Sequence, residues 1–267
     1  MPKFTIVPVK RDRRWLNLLA YGTPGAGKTR LLASACEEES MVDVLFVDVE
    51  AGDETLVEFE DNEQLVVARC TSQAAISDLY KFLAQHCKAR EEEKWDDLKK
   101  LNEAAGIDPE RIFRTVCLDS LTEINVHIMY LIQGIKADTF ETTDLDREAD
   151  LAEFKEWNIA SEMTRLTVRA FRNLPIHVLI ACGAADGKIK DLEPDLPGKL
   201  ARAIQGFVDV VGYLEVGKPS ADADEVHRLF LTPSTKRDAK SRLVNLKDPY
   251  LDNPDMKMII GKARKKG

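Results

Sequence analysis

Apolar runs that alternate with helix-forming stretches dominate the first two thirds of the sequence. The runs from Trp15 to Tyr21 and from Val42 to Val49 are nearly continuous, which is typical of parallel strands buried on both faces. Shorter apolar runs predict further strands at residues 65–68, 112–118 and 176–182. Because strands that alternate with helices build parallel sheets, this pattern predicts an α/β fold with a mostly parallel central sheet and helices on both faces.

Helical spacing of apolar residues predicts the elements between these strands. Apolar residues recur at this spacing within 72–90, so a helix is expected there. Other helices are predicted over residues 28–39, 121–135 and 151–173. The stretch 91–105 is charged and helix-prone, which indicates a solvated helical excursion over the surface.

The last third of the chain has a different pattern. A loop rich in glycine and proline is expected over 183–198, followed by a helical turn that ends at Gln205. Strands are then predicted near residues 207–216, 226–232 and 243–245. These strands would extend the sheet in antiparallel fashion. Residues after Pro249 are expected to be poorly ordered unless a partner holds them.

Length and charge indicate one core with two basic ends. The 267 residues suit a single large α/β core, which we place at 15–248 between a basic N-terminal arm (1–14) and a basic C-terminal tail (249–267). The net charge is −8, but both ends are positive, so the body between them is strongly acidic. The basic residues at 262–266 can hold a polyanion, although solvated basic tails are common, and both interpretations stay open.

The sequence has none of the features of a membrane or secreted protein. No stretch is long and apolar enough to cross a bilayer, and residues 1–14 lack an apolar signal-peptide core. We therefore expect a soluble cytoplasmic protein with no membrane partner.

Five cysteines, an odd number without CxxC pairing, are expected to be reduced and buried. They are Cys36, Cys70, Cys87, Cys117 and Cys182. The four histidines lack ligand spacing and are given no chemical role.

One octet fills every fixed position of a phosphate-binding loop and lies between the first predicted strand and the first predicted helix. Its residues are Gly22, Thr23, Pro24, Gly25, Ala26, Gly27, Lys28 and Thr29, and Arg30 follows directly. The glycines let the backbone bend until successive N–H groups converge on phosphate oxygens. Lys28 is expected to reach the β- and γ-phosphates, and Thr29 to offer its hydroxyl to Mg²⁺. All nine residues are candidates for nucleotide contact; a chance glycine-rich turn is the alternative.

Two acidic residues at predicted strand ends complete the candidate chemistry. Asp119 ends an apolar run beside the loop, where its carboxylate can hold Mg²⁺ directly or through water. Glu50 follows the second strand, and ligands gather at the carboxyl ends of strands in open α/β sheets. Its carboxylate can orient and deprotonate a water in line with the γ-phosphate. From position alone, Glu50 is equally well explained as an acid that merely ends the strand.

The segment Asp48-x-Glu50 resembles the RecA/RadA recombinase core, and this resemblance implies that Glu50 is the catalytic base. Lys240 and Arg242 resemble the Lys-x-Lys or Lys-x-Arg pair of RecA-like ATPases. By that resemblance they enter the neighbouring subunit's active site and contact the γ-phosphate, where positive charge stabilises the transition state. Without the family, a basic pair before a strand is usually a solvated edge. The implied catalytic set is therefore Lys28, Glu50, Lys240 and Arg242.

The most specific resemblance is to phage-encoded RecA-core proteins of the single-strand annealing type, short ATPases without additional DNA-binding domains. It runs over most of the chain. The matching segments are the phosphate loop, residues 47–50, 118–120, 156–157, 195–199 and 207–213, and the pair at 240 and 242. It implies hydrolysis of ATP with Mg²⁺ by a homo-oligomer, either filament or ring. It also implies action on single-stranded DNA, in recombination or annealing, in a bacterial or phage-infected cell.

Departures from the family pattern keep other functions open. The segment 136–150, near the place of the first DNA-binding loop of RecA proteins, is strongly acidic, and acids repel phosphates. The candidate second loop, 183–202, has mixed charge, and no aromatic residues interleave with its charges. The acidic body favours a nucleotide-gated assembly or regulatory ATPase that does not bind DNA. A small-molecule kinase is a second alternative, but neither an acceptor pocket nor an arginine-rich lid is evident in the sequence.

Overall fold

The protein is described by a computed structural model that covers residues 15–50, 52–135, 153–187, 192–218 and 224–264. The predicted N-terminal arm at 1–14 and the acidic segment at 136–150 lie outside the described residues, as does the middle of the candidate second loop. None of the helices in the described part is both long and apolar enough to cross a membrane. The division into arm, core and tail stays a prediction.

Strands and helices alternate as the apolar pattern predicts. The strands are β1 (Asn17–Tyr21), β2 (Val44–Asp48), β3 (Leu65–Arg69), β4 (Thr115–Asp119), β5 (His177–Cys182), β6 (Ala184–Asp186), β7 (Leu192–Pro194), β8 (Val210–Gly217), β9 (Val226–Phe230), β10 (Lys240–Ser241) and β11 (Tyr250–Asp252). The α-helices are α1 (Lys28–Ala33), α2 (Gln73–Glu91), α3 (Trp95–Ala104), α4 (Leu121–Gln133), α5 (Phe154–Arg172), α6 (Leu200–Phe207) and α7 (Met256–Arg264). Short 3₁₀ helices cover Ser34–Glu37 and Asp53–Phe59.

Within the described ranges, nine strands form one sheet in the order β11-β9-β8-β1-β5-β4-β2-β3, with β10 paired to β8. The strands from β8 to β3 in this order pair in parallel. β9, β10 and β11 pair in antiparallel fashion. The predicted α/β fold, with a mostly parallel sheet and an antiparallel C-terminal extension, is confirmed. The expectation was wrong for β8 alone, which pairs with β1 in parallel, so the antiparallel extension begins after β8.

Two apolar layers cover the sheet, one on each face. Residues of β1 alternate between them, since Leu19 and Tyr21 belong to one layer and Leu18 and Ala20 to the other. Helices α2, α4, α5 and α6 contribute to the first layer through side chains such as Leu83, Ile128, Phe171 and Ile204. Helices α1 and α7 contribute to the second through Leu31, Leu32, Met256 and Ile259. The sheet is therefore covered on both faces, which explains the nearly continuous apolar runs of its central strands.

Two expectations for local structure are wrong, and a third is correct only in part. Residues 243–245 do not form a strand; the strand in this region is β10, and Val244 is 76% exposed. The predicted loop at 183–198 contains the antiparallel hairpin of β6 and β7. Helix α3 is not fully solvated, because Leu98 and Asn102 are buried. The Asn102 side-chain amide donates to the carbonyls of Pro109 and Arg111, at 3.1 and 2.9 Å, so a polar side chain joins the helix to the segment that leads into β4.

The described residues after Pro249 are ordered, contrary to expectation. β11 pairs with β9, and α7 buries Met256, Ile259 and Ile260 in the layer that also covers α1. These positions follow helical spacing, but Lys257 and the basic residues that follow them made the charge pattern typical of a solvated tail. The expectation for the cysteines is confirmed: all five are buried and unpaired.

Candidate functional site

The octet forms a tight loop between the end of β1 and the start of α1. Gly25 and Gly27 have φ angles of 79° and 91°, in the left-handed region that favours glycine. At Gly22 the restriction is steric, since a Cβ there would lie 2.3 Å from the Leu214 carbonyl oxygen. The three glycines of the motif therefore each meet a geometric requirement of the loop.

The side chain of Lys28 points back towards the loop that precedes it. Its ammonium donates to the carbonyl oxygens of Gly22 and Thr23, each at 3.0 Å. The loop thus carries a positive charge next to the backbone N–H groups at the start of α1. An anion bound to those N–H groups would meet the ammonium, which agrees with the role predicted for this lysine.

Thr29 and Asp119 come together at the start of α1 and the end of β4. The Thr29 hydroxyl donates to Asp119 Oδ2 at 2.6 Å, and the carboxylate is buried. Burial raises the pKa of Asp119 to about 6; the Thr29 hydrogen bond and Lys28 oppose this rise, whereas Glu50 and Asp48 add to it. A cation beside this carboxylate would favour its ionised form. A hydroxyl and a carboxylate at this position fit Mg²⁺ carried by a nucleotide phosphate.

Glu50 lies on the same edge of the sheet, two residues after β2. β2 pairs with β4 so that Asp48 lies opposite Asp119. Asp48 accepts the backbone N–H groups of Glu50 and Gly52, both at 3.2 Å, which fixes the turn after the strand. The Ser120 hydroxyl donates to the Glu50 carboxylate. Glu50 is otherwise exposed, so its carboxylate is held in place yet open to solvent.

Arg30 has a partner outside the loop. Its Nε donates to both carboxylate oxygens of Glu58, at 2.9 and 3.0 Å, and both side chains are exposed. Glu58 belongs to the 3₁₀ helix at Asp53–Phe59, which packs on α1. The nucleotide contact predicted for Arg30 stays a prediction.

Lys240 and Arg242 do not join the other candidates in the same chain. Lys240 pairs with Val211 of β8, which places it two strands away from β1, about 10 Å across the sheet. Its ammonium donates to the Gln205 carbonyl, and Arg242 donates to the Gly206 carbonyl at 2.9 Å. Both carbonyls are in the last turn of α6, where cations are favourable. The two side chains therefore have partners within their own chain, and their predicted action on a neighbouring subunit stays a prediction.

No chemical role is predicted from the sequence for three residues beside the site. Asp48 and Ser120 fix the position of Glu50, and they could have been found as polar residues at strand ends. His227 contacts the Ala26 carbonyl at 2.9 Å, although the two residues are 201 positions apart. Two residues so far apart in the sequence form no local motif, so this contact could not be predicted from the sequence. In the described part of the chain, no group of three or more His, Cys, Asp and Glu side chains could hold a metal ion by itself.

A family model described as an AAA domain matches residues 15–243. The chain is similar to the crystal structure of a KaiC-like protein, PH0186, from the hyperthermophilic archaeon Pyrococcus horikoshii OT3, with 14% identity and a TM-score of 0.39. It is also similar to the flagellar accessory protein FlaH from Methanocaldococcus jannaschii, with 10% identity and a TM-score of 0.36. Each similarity covers 80% of this chain and 77% of the other. No curated protein matches the chain significantly.

Proposed function

The chain belongs to the AAA domain family, and from this premise we propose that it is an ATPase that hydrolyses ATP with Mg²⁺ at the loop 22–29. Its RecA-like P-loop core is a nucleotide-binding fold. Binding alone does not require an acidic residue at the end of β4, whereas hydrolysis with Mg²⁺ does. The proposal therefore depends on the residues that accompany the loop.

The hydrogen bond of 2.6 Å between Thr29 and Asp119 carries this proposal. It joins a hydroxyl from the start of α1 to a carboxylate from the end of β4, and both are oxygen ligands of the kind that Mg²⁺ prefers. When bound, Mg²⁺ would neutralise charge on the β- and γ-phosphates. We assign Thr29 and Asp119 as the protein groups that hold it, and residues 22–30 as the nucleotide-binding segment.

Glu50 is the residue we assign as the general base. Its carboxylate is exposed, so it can reach a water molecule, while Ser120 and the turn at Asp48 restrict its position. A general base needs this combination of access and fixed geometry. Lys28 is assigned to the phosphates, where its charge opposes the negative charge of the transition state.

Lys240 and Arg242 are assigned to a site completed between two copies of the chain. The resemblance of the pair to those of RecA-like ATPases supports an action in trans, and the position of Lys240 two strands away from β1 agrees with it. An assembly in which each copy contacts the next through a different surface gives a ring or a filament. We propose such a homo-oligomer.

Action on single-stranded DNA, in phage-type recombination or annealing, is supported by the sequence resemblance and by the basic residues of α7. Lys257 and Arg264 are exposed on this helix, and Lys262 pairs with Asp248 at 2.8 Å. The acidic body of the chain supports the second candidate, a nucleotide-gated assembly or regulatory ATPase that does not bind DNA. Affinity for a single-stranded oligonucleotide across a salt series separates the two, because phosphate contacts give a steep negative dependence on salt.

The ATPase proposal is tested by phosphate release in the presence of Mg²⁺, with the parent protein and with Lys28→Ala. We expect the variant to lose ATP turnover and to keep the parental unfolding midpoint, because Lys28 contacts loop carbonyls rather than the apolar core. Lys81→Ala is the matched control, since Lys81 is an exposed lysine paired only locally with Asp78 on α2. A folded Lys28→Ala protein with parental turnover would overturn the assignment of this loop.

A further inference from the structure

The ring of His227 packs directly against the phosphate loop. Its Nδ1 lies 2.9 Å from the Ala26 carbonyl oxygen. A carbonyl can only accept a hydrogen bond, so Nδ1 carries the proton in this contact and donates it. The ring also fills the space beside the next residue, because a Cβ at Gly27 would lie 2.8 Å from Nδ1. A glycine at position 27 is therefore required both by its φ angle and by the histidine.

The contact with Ala26 determines the direction of another group in the loop. The Ala26–Gly27 bond is a trans peptide. In a trans peptide the C=O and the N–H lie in one plane and point in opposite directions. When His227 holds the Ala26 carbonyl on one side of the loop, the Gly27 N–H is directed to the other side. That N–H belongs to the set that converges on a phosphate in loops of this type.

The position of His227 is itself fixed by the C-terminal part of the sheet. Its backbone N–H donates to the side chain of Asn253 at 3.0 Å, and its carbonyl accepts the Asn253 backbone N–H at 2.6 Å. Asn253 follows β11 and has a φ angle of 44°. Three residues later, the Met256 N–H donates at 2.9 Å to the buried hydroxyl of Ser34, which is the residue that follows α1. The segment that follows β11 is thus connected to the phosphate loop through His227 and to the end of α1 through Ser34.

We propose that His227 is a positioning residue for phosphate recognition, which holds the Ala26 carbonyl so that the Gly27 N–H faces the nucleotide. This inference rests on the proposed binding of a nucleotide at the same loop. His227 does not contact the reacting atoms in this role; it acts through the Ala26–Gly27 peptide. Removal of the donor frees this peptide to rotate, which weakens phosphate binding without removing any side chain that touches the phosphate.

Equilibrium binding of a fluorescent N-methylanthraniloyl derivative of ADP, with Mg²⁺, tests the proposal. We expect His227→Ala to weaken binding about tenfold, the effect of one well-oriented hydrogen bond. His227→Asn should restore most of the affinity, since its amide nitrogen occupies nearly the position of Nδ1. His227→Gln should not, because its amide reaches the position of Nε2 instead. The comparison of Asn with Gln remains decisive if His227→Ala fails to fold.

His127→Ala is the matched control on another element. His127 is a half-buried histidine of α4 whose ring packs against Tyr130, so its removal deletes the same side chain without changing the contact to Ala26. We expect parental affinity for this variant. If the parent binds and His227→Ala binds equally well, or if Asn and Gln restore binding to the same extent, the inference fails while the nucleotide site stands. If the parent itself does not bind, the proposed site and the inference both fail.

Discussion

At the scale of single residues, the two carboxylates at the sheet edge have different surroundings. Asp119 is buried, accepts the Thr29 hydroxyl and has its pKa raised to about 6 by burial. Glu50 is exposed and accepts the Ser120 hydroxyl. Carboxylates in different environments can take different roles in one site. A buried ligand for a cation and an accessible base for water are the roles that suit Asp119 and Glu50.

We predict that Glu50→Gln binds ATP about as well as the parent but turns it over about 10²- to 10⁴-fold more slowly, because an amide keeps the shape but cannot take a proton. Single-turnover hydrolysis and nucleotide affinity, measured on the same preparation, separate the two effects. Glu54→Gln is a suitable control, since Glu54 is a nearby exposed carboxylate in the following 3₁₀ helix. Near-parental turnover of Glu50→Gln would exclude Glu50 as the base; Asp48, the next candidate in the sequence, is buried and already accepts two backbone N–H groups.

A second residue-scale prediction concerns pH and stability. His177 is buried in β5, and its Nδ1 accepts the Leu16 backbone N–H at 2.9 Å, so the neutral ring is required. Burial, and to a smaller extent the charge of Arg264, lower the pKa of His177 to about 4, although a hydrogen bond with Ser40 opposes the shift. The unfolded histidine titrates near pH 6.5. Below that pH the unfolded chain binds a proton that the folded chain does not, so stability is lost as the pH falls from about 6.5 towards 4.

His177→Asn isolates this contribution, because its side-chain oxygen can accept the same hydrogen bond and does not titrate. Urea unfolding of both proteins at pH 8 and pH 5 gives the difference in free energy of unfolding at each pH. We expect the parent to lose about 2 kcal/mol relative to the variant between pH 8 and pH 5. The offset at pH 8 measures the packing lost with the ring. A difference that stays constant between the two pH values would contradict the prediction.

The candidate site could be predicted from the sequence only where its signals are local. The loop is eight contiguous residues, and Asp119 and Glu50 each follow an apolar run, so both the motif and the position relative to the sheet were visible. His227 had no such signal, because its contact with Ala26 spans 201 positions. Contacts of that range depend on how strands are ordered in the sheet, and a single sequence does not specify that order.

At the scale of elements, the central strands and the C-terminal strands β8 and β9 were predictable, whereas the short strands β10 and β11 were not. β2, β4 and β5 are fully buried, and their continuous apolar runs carry a strong signal. β10 and β11 have two and three residues, which is too short for alternation to show. Helix α7 contains the expected apolar spacing, but its lysines and arginine made the segment resemble a solvated tail.

Ile259→Ala tests whether α7 is part of the core. Ile259 is fully buried, so we expect a loss of about 3 kcal/mol in the free energy of unfolding, from lost apolar burial and the cavity that remains. Urea unfolding measures this loss. Lys257→Ala, at an exposed position of the same helix, should change stability little. If Ile259→Ala has no more effect than Lys257→Ala, the helix does not contribute to the core in solution.

At the scale of the whole molecule, Lys240 and Arg242 lie beside the end of α6 and not with the other candidate site residues of their own chain. Both donate to carbonyls in the last turn of α6, and one chain does not bring them to Asp119 or Glu50. A structural role at the end of α6 requires only one copy of the chain. The proposed catalytic role requires a second copy that accepts the pair. The two roles therefore make different predictions for mixed assemblies.

We predict that Arg242→Ala subunits and Glu50→Gln subunits restore activity to each other when mixed. Each variant alone lacks one component at every site, whereas a mixed assembly contains sites with a parental Glu50 and a parental Arg242 from the neighbour. Random mixing at equal amounts gives about a quarter of such sites in an assembly that repeats one interface. Phosphate release after subunit exchange measures the gain.

A subunit with both substitutions is the control, since it cannot complete a site with either single variant. If exchange occurs and activity stays at the sum of the two variants, Arg242 acts only on the Gly206 carbonyl at the end of α6, and the site is not completed in trans.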